Sequence, residues 1–403
     1  MGPAAFAASR ETVLVAESPR SVRAVQPPVS RVYLDAATVA PPHPAGREAL
    51  LAALDEGWAD PRRLHAEGRR ARLLLDGARE ALAAALGTRT EELVFTGSHV
   101  EAVHAAVSGT LKARHRVGDR VLHSAVEHSA VLHAAAHGGT AGPIPVDRSG
   151  RVDVEAFVTE LRSPGVVLGC LQSANGEVGT VQPVTEVAAA ARAAAVPLLV
   201  DVAASAGRRP TPEGWDLLVA DPRAWGAPGG LGLLAVGANT RWTSAAPPDD
   251  STERVPGTPS VPAALAAAVS LQAVLADAEQ QDARRRRLTA RIRAAAAAIP
   301  DTEVVGDPEH RLPHVLTFSC LYVDGEAIVD ELDRAGFAVG SGSACTASTL
   351  EPSHVLAAMG VLTHGNVRIG LPPDVDEAAV ERFCATLPVA VQRVRAFLGA
   401  DEL

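Results

Sequence analysis

Short apolar runs alternate with longer helix-like stretches along most of the 403-residue chain. The runs at residues 166–170, 198–201 and 217–220 have the length and composition of buried strands. The stretches at 71–86 and 261–276 have the length and apolar spacing of helices. Because strands and helices alternate, the sequence predicts an α/β fold with a mainly parallel sheet.

Length and charge limit the class of protein. The chain is long enough for two domains, and it has no apolar run long enough to cross a bilayer, so we expect no membrane partner. A net charge of -10 argues against a general nucleic-acid binder. The one strong basic run, residues 284–287, falls in a helical pattern and is interpreted as a solvated helix face.

The N-terminal stretch and the cysteines indicate where the protein works. Residues 1–30 lack an uninterrupted apolar core behind a basic start, so they are interpreted as a poorly ordered extension and not as a secretory signal. Cys170, Cys320, Cys345 and Cys384 have no metal-ligand spacing, and we predict no metal site. All but Cys345 are expected in the core. Without an export signal, a cytoplasmic location is expected.

Cys345 stands in a segment, residues 340–348, in which six of nine residues are Gly, Ser or Thr. Glycines permit backbone conformations closed to other residues, and hydroxyl and amide groups can hold a thiolate. A thiol in such a segment suits a nucleophile that moves between partners. The alternative is a buried structural cysteine, the common state of a free Cys, but a polar segment is a poor place to bury one.

Residues 341–356, which read SGSACTASTLEPSHVL, resemble the active-site loop of cysteine desulfurases of the NifS/IscS type. Those enzymes have the class V aminotransferase fold (pyridoxal-phosphate transferase fold type I) and take up sulfur as a persulfide on the loop cysteine. The resemblance implies a large domain over residues 31–258 and a smaller α+β domain over 259–403 that carries Cys345. It also implies a homodimer and a sulfur-donor or sulfur-acceptor protein as partner.

The resemblance extends over nearly all of residues 31–398 and assigns roles to residues that match family motifs. His128, in EHSAVL, corresponds to the histidine that stacks on the pyridine ring of the cofactor. Asp201, at the end of an apolar strand, corresponds to the aspartate that pairs with the protonated pyridine nitrogen, which makes the ring an electron sink. Asn175, in NGEVGTVQP, corresponds to the partner of the phenolic oxygen, and Arg368 to the arginine that binds the substrate carboxylate.

The phosphate end of the implied site matches the family less well. Residues 96–101 (TGSHVE) resemble the phosphate-binding turn TSGATES, in which a helix N-terminus receives the anion. Gly97 and Ser98 match this turn. His99 and Val100 replace its Ala-Thr pair, so one phosphate-binding hydroxyl is lost.

Further positions belong to a vestigial cofactor site. Ala204 replaces the glutamine of a family motif, and Ser205 follows it. Thr258 ends a Pro-Gly-Thr run that resembles RSGT, a segment that reaches the phosphate of the neighbouring subunit in family dimers. Val255 replaces the arginine of that segment.

A single lysine, Lys112, occurs in the whole sequence. Residues 221–232 (DPRAWGAPGGLG) resemble the family segment SGHKFGAPKGVGAL, which carries the Schiff-base lysine. The alignment places Arg223 on the histidine and Ala224 on the lysine. Arginine stays protonated in proteins, so it cannot serve as the amine, and Lys112 falls at the far end of the helix after the phosphate turn. The sequence therefore predicts that no pyridoxal phosphate is bound covalently.

Three functional hypotheses follow. The first is a desulfurase-like protein that accepts or relays a persulfide on Cys345, where a nearby Arg368 would lower the thiol pKa from its free value of about 8.5. The second is a degenerate paralogue that acts as a non-catalytic interaction subunit. The third is a working cysteine desulfurase, a transferase, that holds pyridoxal phosphate non-covalently or takes a lysine from a partner chain. A nucleic-acid binder has only residues 284–287 in its favour.

Overall fold

The computed structural model of the chain describes residues 31–250, 253–341 and 352–399. The predicted extension at residues 1–30 and the predicted nucleophile Cys345 lie outside the described residues. The other predicted site residues all lie within them.

Within these ranges the strands form three sheets. The strands are β1 (Val32–Tyr33), β2 (Leu93–Thr96), β3 (Arg120–Ser124), β4 (Thr140–Ile144), β5 (Val166–Gln172), β6 (Leu198–Asp201), β7 (Leu217–Ala220), β8 (Gly232–Val236), β9 (Thr302–Val305), β10 (Val315–Cys320), β11 (Phe337–Ala338) and β12 (Asn366–Gly370). The helices are α1 (Pro44–Glu56), α2 (Ala66–Leu86), α3 (His99–Arg114), α4 (Ser129–Gly138), α5 (Val154–Glu160), α6 (Val184–Ala193), α7 (Val261–Ala276), α8 (Ala278–Ala297), α9 (Gly325–Arg334), α10 (His354–Met359) and α11 (Glu377–Phe397).

The largest sheet contains seven strands in the order β2-β8-β7-β6-β5-β3-β4. Strand β3 pairs in parallel with β4 and β5, and the pairs β5–β6 and β6–β7 are parallel as well. Strand β8 runs antiparallel to both of its neighbours. The predicted α/β fold with a mainly parallel sheet is therefore confirmed. A second sheet, β12-β10-β9, is antiparallel, and β1 pairs in parallel with β11.

Two regions of the chain bury separate apolar cores. Helices cover both faces of the seven-stranded sheet, and a second core forms where α8, α9 and α11 pack on the three-stranded sheet. Helix α7 belongs to the first core, where it packs on α1 and α2. Leu34, next to β1, is fully buried in the second core. These contacts cross the predicted boundary between residues 258 and 259, so the two-domain division stays a prediction.

Helix α2 starts earlier than the predicted position at residue 71, because His65 caps it. The Nδ1 atom of His65 accepts a hydrogen bond from the Gly68 N–H at 3.3 Å, which satisfies one of the free donors at the helix start. The helix ends at Gly87, as predicted, in a left-handed conformation with φ of 67°. Glycine adopts that conformation without steric cost.

The basic run at residues 284–287 is not uniformly solvated, contrary to the sequence interpretation. Arg285 is 2% exposed and lies 3.6 Å from Asp282. Arg286 and Arg287 are exposed, so the helix α8 turns only part of this run to solvent. The cysteine prediction holds for the buried Cys170 and Cys320, while Cys384 is half-buried.

Within the described residues, no single helix is both long and apolar enough to span a membrane. The pair α7 and α8, bent by 72°, passes the same criterion on length and composition alone. The described ranges also contain no group of three or more His, Cys, Asp or Glu side chains arranged to hold a metal ion.

Candidate functional site

The candidate site lies where strands β5, β6 and β7 end. These strands are parallel, so their carboxyl ends meet at one edge of the large sheet. Ser173 follows β5, Asp201 ends β6 and Asp221 follows β7. The turn between β2 and α3 brings His99 to the same edge. Ligands of open α/β sheets bind at such an edge.

His99 lies between Asp201 and His128 and is 3% exposed. Its Nε2 atom lies 2.9 Å from Asp201 Oδ2. The His99 and His128 rings meet edge to face, with centroids 5.0 Å apart and planes at 83°. Both residues that were predicted to hold a pyridine ring therefore contact His99. The remaining surface of His128 is exposed.

The contact between His99 and Asp201 is an ion pair when His99 is protonated. Burial opposes a charge on His99, but the Asp201 carboxylate and its hydrogen bond raise the pKa of His99. Burial opposes the Asp201 charge too, and His99 lowers the pKa of Asp201 below its usual value. Partial desolvation and the charge of His99 lower the pKa of His128. The lowered pKa favours the neutral imidazole, and its Nδ1 accepts from the Ala130 N–H at 3.1 Å.

Asp221 and Arg223 form a second ion pair at this edge. Arg223 Nη2 lies 2.7 Å from Asp221 Oδ2. The Asp221 side chain is 8% exposed, and that of Arg223 is 46% exposed. In this pair and in the pair of His99 with Asp201, each basic side chain is already matched by a carboxylate. Among the described residues at this edge, these pairs therefore leave no free positive charge for a phosphate.

Ala224, the residue aligned with the family lysine, is 1% exposed in a 3₁₀ turn. Arg208 donates from Nη2 to the Ala224 carbonyl oxygen at 2.7 Å, which fixes this turn. Lys112 donates instead to the Ser244 carbonyl oxygen at 2.8 Å. At a rise of 1.5 Å per residue, it lies about 20 Å along α3 from His99. The single lysine of the chain is therefore remote from the site.

The predicted phosphate-binding turn is hydrogen-bonded to its own helix. Glu101 Oε2 accepts from the Gly97 N–H at 2.7 Å, and Ser98 Oγ accepts from the Glu101 N–H at 3.1 Å. This reciprocal cap places a carboxylate at the positive end of α3. The turn lies close to β8, since a Cβ atom on Gly232 would lie 2.1 Å from the Ser98 carbonyl oxygen. Gly97 and Ser98 thus serve the helix start.

Asn175 uses both ends of its amide for contacts within the chain. Its Nδ2 donates to the Val126 carbonyl oxygen at 2.9 Å, and its Oδ1 accepts from the N–H groups of Glu177 and Val178 at 2.8 Å each. Asn175 is also buried. These contacts give Asn175 a structural role. Its predicted role toward a phenolic oxygen stays a prediction.

Ser205 and Thr258 are the other predicted cofactor residues. The Ser205 hydroxyl is buried and contacts the Ser173 hydroxyl. Thr258 is exposed and lines a surface groove with Pro61 and Arg62. Neither residue has a hydrogen bond to the His99–Asp201 pair.

Glu127, next to His128, was not predicted as a site residue. It is 1% exposed, and its Oε1 accepts from the Gln172 N–H at 2.7 Å. Burial raises the pKa of Glu127 to about 8. The carboxyl group is therefore mostly neutral at pH 7 and adds little charge to the site.

Arg368 lies in β12 and pairs through its backbone with Gly340, the first residue of the segment that contains Cys345. Its Nη2 lies 3.1 Å from Asp35 Oδ1, and the two side chains are 8% and 34% exposed, respectively. The Nε of Arg368 has no hydrogen-bond partner among the described residues. The backbones of Arg368 and Gly340 exchange hydrogen bonds of 2.7 and 3.0 Å. Arg368 is thus fixed next to the start of the Cys345 segment, and its buried Nε–H has no acceptor among the described residues.

Ser353 anchors the chain after the undescribed residues 342–351. Its Oγ donates to Glu177 Oε1 at 2.7 Å and accepts from the Leu356 N–H at 3.3 Å. Burial raises the pKa of Glu177 to about 7, against the opposing effects of Ser353 and Arg368. Since the Arg368 charge acts on Glu177, the two anchors of the segment lie near each other.

The described residues do not fit a covalently held pyridoxal phosphate. Ala224 offers no amine, and the Asp201 carboxylate is paired with His99. The helix start that would receive the phosphate is capped by Glu101. We therefore derive no chemical step through this group.

His99 is the residue whose importance sequence reasoning missed. The sequence identified it only as a replacement in the phosphate turn. The available signal was the side chain itself, because a histidine replaces an alanine in the phosphate turn and an imidazole can pair with a carboxylate.

Known proteins resemble the chain over most of its length. The aminotransferase class-V family model matches residues 32–383. A cysteine desulfurase of Cereibacter sphaeroides is 33% identical over 401 residues, which cover 93% of this chain and 100% of that protein. A cysteine desulfurase of Azotobacter chroococcum mcd 1 is 31% identical over 363 residues, covering 86% and 89%. A solved NIFS-like protein has a TM-score of 0.83 at 22% identity, covering 90% and 100%, which is evidence for the fold alone.

Proposed function

Because the chain belongs to the class V aminotransferase family, as a homologue of the NifS/IscS-type cysteine desulfurases, we propose that it carries sulfur as a persulfide on Cys345 without covalently bound pyridoxal phosphate. The observation that supports this most directly is the lack of an amine. Ala224 is buried at the lysine position, and Lys112 is engaged with Ser244 elsewhere. Sulfur must then arrive already activated.

The proposed step is an exchange between a thiolate and a persulfide. The Cys345 thiolate attacks the outer sulfur of a donor, R–S–SH. A new S–S bond forms on Cys345, the S–S bond of the donor breaks, and R–S⁻ leaves as a thiolate. The proton stays on the transferred sulfur, and no net oxidation or reduction occurs. The same exchange with an acceptor thiolate passes the sulfur on.

Arg368 has two tasks in this proposal. Its guanidinium, whose buried Nε–H has no acceptor among the described residues, is proposed to bind the carboxylate of a small donor such as cysteine persulfide. Its positive charge, next to Gly340, favours the thiolate form of a nearby cysteine. The anchoring of the chain at Gly340 and at Ser353 supports delivery of Cys345 to this place. A homodimer, a sulfur-donor or sulfur-acceptor protein and a cytoplasmic setting complete the proposal.

Two competing functions make different predictions. A non-covalently held cofactor is disfavoured because His99 contacts both Asp201 and His128, the expected partners of its ring. An interaction subunit is compatible with the same contacts. The reactivity of Cys345 separates it from a relay.

Persulfide uptake tests the proposal. The purified protein is incubated with cysteine persulfide, alkylated, digested and analysed by mass spectrometry. We expect one added sulfur on the Cys345 peptide, and its loss when an acceptor thiol is supplied. An inert Cys345 would overturn the relay and favour the interaction subunit. A yellow complex with pyridoxal phosphate that responds to L-cysteine would favour the third hypothesis.

Two serine variants control this assay. Cys345→Ser should take up no sulfur at the altered site. Cys384→Ser removes a half-buried thiol outside the candidate site and should behave like the wild type. Equal labelling of all cysteines in the wild type would indicate non-specific chemistry and contradict the proposal.

A further inference from the structure

The His99 side chain holds the position at which a pyridine nitrogen would have to meet Asp201. We infer that His99 is a built-in replacement for that ring, which pairs with Asp201 and thereby excludes any pyridine ligand from this carboxylate. The inference shares with the proposed function only the view that no cofactor is bound covalently. It does not involve Cys345, so an inert thiol would leave it standing.

An imidazole meets the same chemical requirements as a pyridine at this point. Both are aromatic rings whose N–H donates to a carboxylate when protonated. His99 Nε2 lies 2.9 Å from Asp201 Oδ2, and its ring packs edge to face on His128. Asp201 is 5% exposed. A pyridine placed on the exposed face of His128 would therefore still find the carboxylate covered.

The backbone of His99 has little room to withdraw. The preceding Ser98 caps α3, and its carbonyl oxygen lies against Gly232 of β8. Moving the His99 side chain alone would leave Asp201 buried without its charge partner, which is strongly unfavourable. The replacement is therefore part of the folded structure and not a loose side chain that a ligand displaces.

The rest of the edge supports the same inference. Asp221 is neutralised by Arg223, and Glu101 caps the start of α3. A phosphate would meet an already paired arginine at the first place and a carboxylate at the second. The lost lysine is thus one obstacle among several, and restoring it at Ala224 should not by itself restore cofactor binding.

Pyridoxamine 5′-phosphate is a suitable probe, because its binding requires no Schiff base and therefore no lysine. Fluorescence titration is carried out on the wild type, His99→Ala and His99→Phe. We expect His99→Ala to bind the probe about tenfold or more tightly than the wild type, since the Asp201 carboxylate becomes available. His99→Phe keeps the ring volume and should bind no better than the wild type. Equal affinity of wild type and His99→Ala overturns the inference.

Two further variants separate His99 from its surroundings. Val100→Ala alters the adjacent residue, which is 43% exposed, and should bind the probe as the wild type does. With pyridoxal phosphate, borohydride reduction and peptide mapping, Ala224→Lys alone should carry no label on residue 224, whereas His99→Ala/Ala224→Lys should carry it there; label on the exposed Lys112 is common to all variants. Labelling of Ala224→Lys to the same extent as the double variant would contradict a blocking role for His99.

A measurement on the wild type keeps the inference testable if the variants do not fold. The Asp201-paired imidazole proton is followed by NMR as the probe is added. We expect this signal to persist at saturating probe. Saturable binding with loss of the signal would show that a ligand displaces His99 and would overturn the inference.

Discussion

The candidate site has two regions: the ring side, formed by His99, His128, Asp201 and Asp221, and the arginine side, formed by Arg368 and Asp35. They differ in how fully their polar groups are paired within the chain. On the ring side, Asp201 is covered by His99, and Asp221 is neutralised by Arg223. On the arginine side, Arg368 pairs with the partly exposed Asp35 and keeps an Nε–H that no described residue accepts. The first region satisfies its polar groups from within the chain. The second leaves one buried N–H of Arg368 without an acceptor among the described residues.

The difference shows that resemblance to a family need not decay evenly across a site. Asp201 and His128 match the family as well as Arg368 does, yet a single neighbouring replacement, His99, changes what they can bind. Arg368 has no comparable replacement next to it: Gly340 contributes backbone hydrogen bonds only. A retained residue keeps its function only where its partners are also retained.

Removing the partner of His99 should give the largest change in stability. Asp201→Ala leaves a buried imidazole without its carboxylate, and we expect the free energy of unfolding to fall by about 3–5 kcal/mol. Urea denaturation measures this loss. In the double variant His99→Ala/Asp201→Ala the loss should be smaller than the sum of the single losses, because the two residues interact directly.

An exposed pair provides the control for this comparison. Asp76 pairs with Arg72, and both side chains are 55% exposed. Asp76→Ala should cost less than about 1 kcal/mol. If Asp201→Ala cost no more than this control, the ring side would not depend on an internal ion pair.

Glu127→Gln should stabilise the protein at neutral pH. The pKa of Glu127 is raised from 4.5 to about 8, so the stability linked to its proton is complete below pH 4.5 and is lost as pH rises toward 8. Relative to Glu127→Gln, the wild type should lose up to about 1.4 kcal/mol per pH unit in this window. At pH 7 the variant should gain about 3 kcal/mol in denaturation experiments.

The same substitution at an exposed carboxylate tests whether Glu127 causes the slope of the unfolding free energy against pH. Glu91, whose side chain is 68% exposed, can be changed to Gln as the control. Its pH profile should follow that of the wild type. A Glu127→Gln profile parallel to both would mean that Glu127 is not held neutral in the folded protein.

Much of the fold was predictable, because strand and helix periodicities are local properties of the sequence. Strands β6 and β7 and helix α7 have the bounds that were predicted. Local patterns did not reveal which core each element joins. Helix α7 packs with α1 and α2, and β1 pairs with β11, because those choices depend on contacts between distant parts of the chain.

Individual site residues were predictable, but their mutual contacts were not. Motif matching identified Asp201, His128 and Arg368 without locating their hydrogen-bond partners. The pairing of His99 with Asp201 joins the first residue of helix α3 to the last residue of strand β6, and these two positions meet only in the folded chain. The helical pattern at residues 284–287 similarly could not indicate that Arg285 faces inward, since burial depends on what packs against α8.

Arg368→Gln should reveal a ligand role on the arginine side. If Arg368 holds the donor carboxylate, kcat/KM for sulfur uptake from cysteine persulfide should fall about 10–100-fold, the value of a charged hydrogen bond. Uptake from an alkyl persulfide without a carboxylate should change little. The matched control is Arg291→Gln, because Arg291 lies on α8 and its side chain is 50% exposed. Equal losses with both donors would indicate that Arg368 acts only on structure.

Ser353→Ala should give the smallest effect, and a matched serine separates its two contacts. Ser353 caps α10 and also donates to Glu177, whereas Ser260 caps α7 by accepting from the Ala263 N–H at 3.3 Å. Loss of a cap costs about 1 kcal/mol in either variant. Ser353→Ala should cost about 1 kcal/mol more than Ser260→Ala, since the buried Glu177 loses a donor. Equal costs in urea denaturation would mean that the anchor next to the Cys345 segment depends on the helix cap alone.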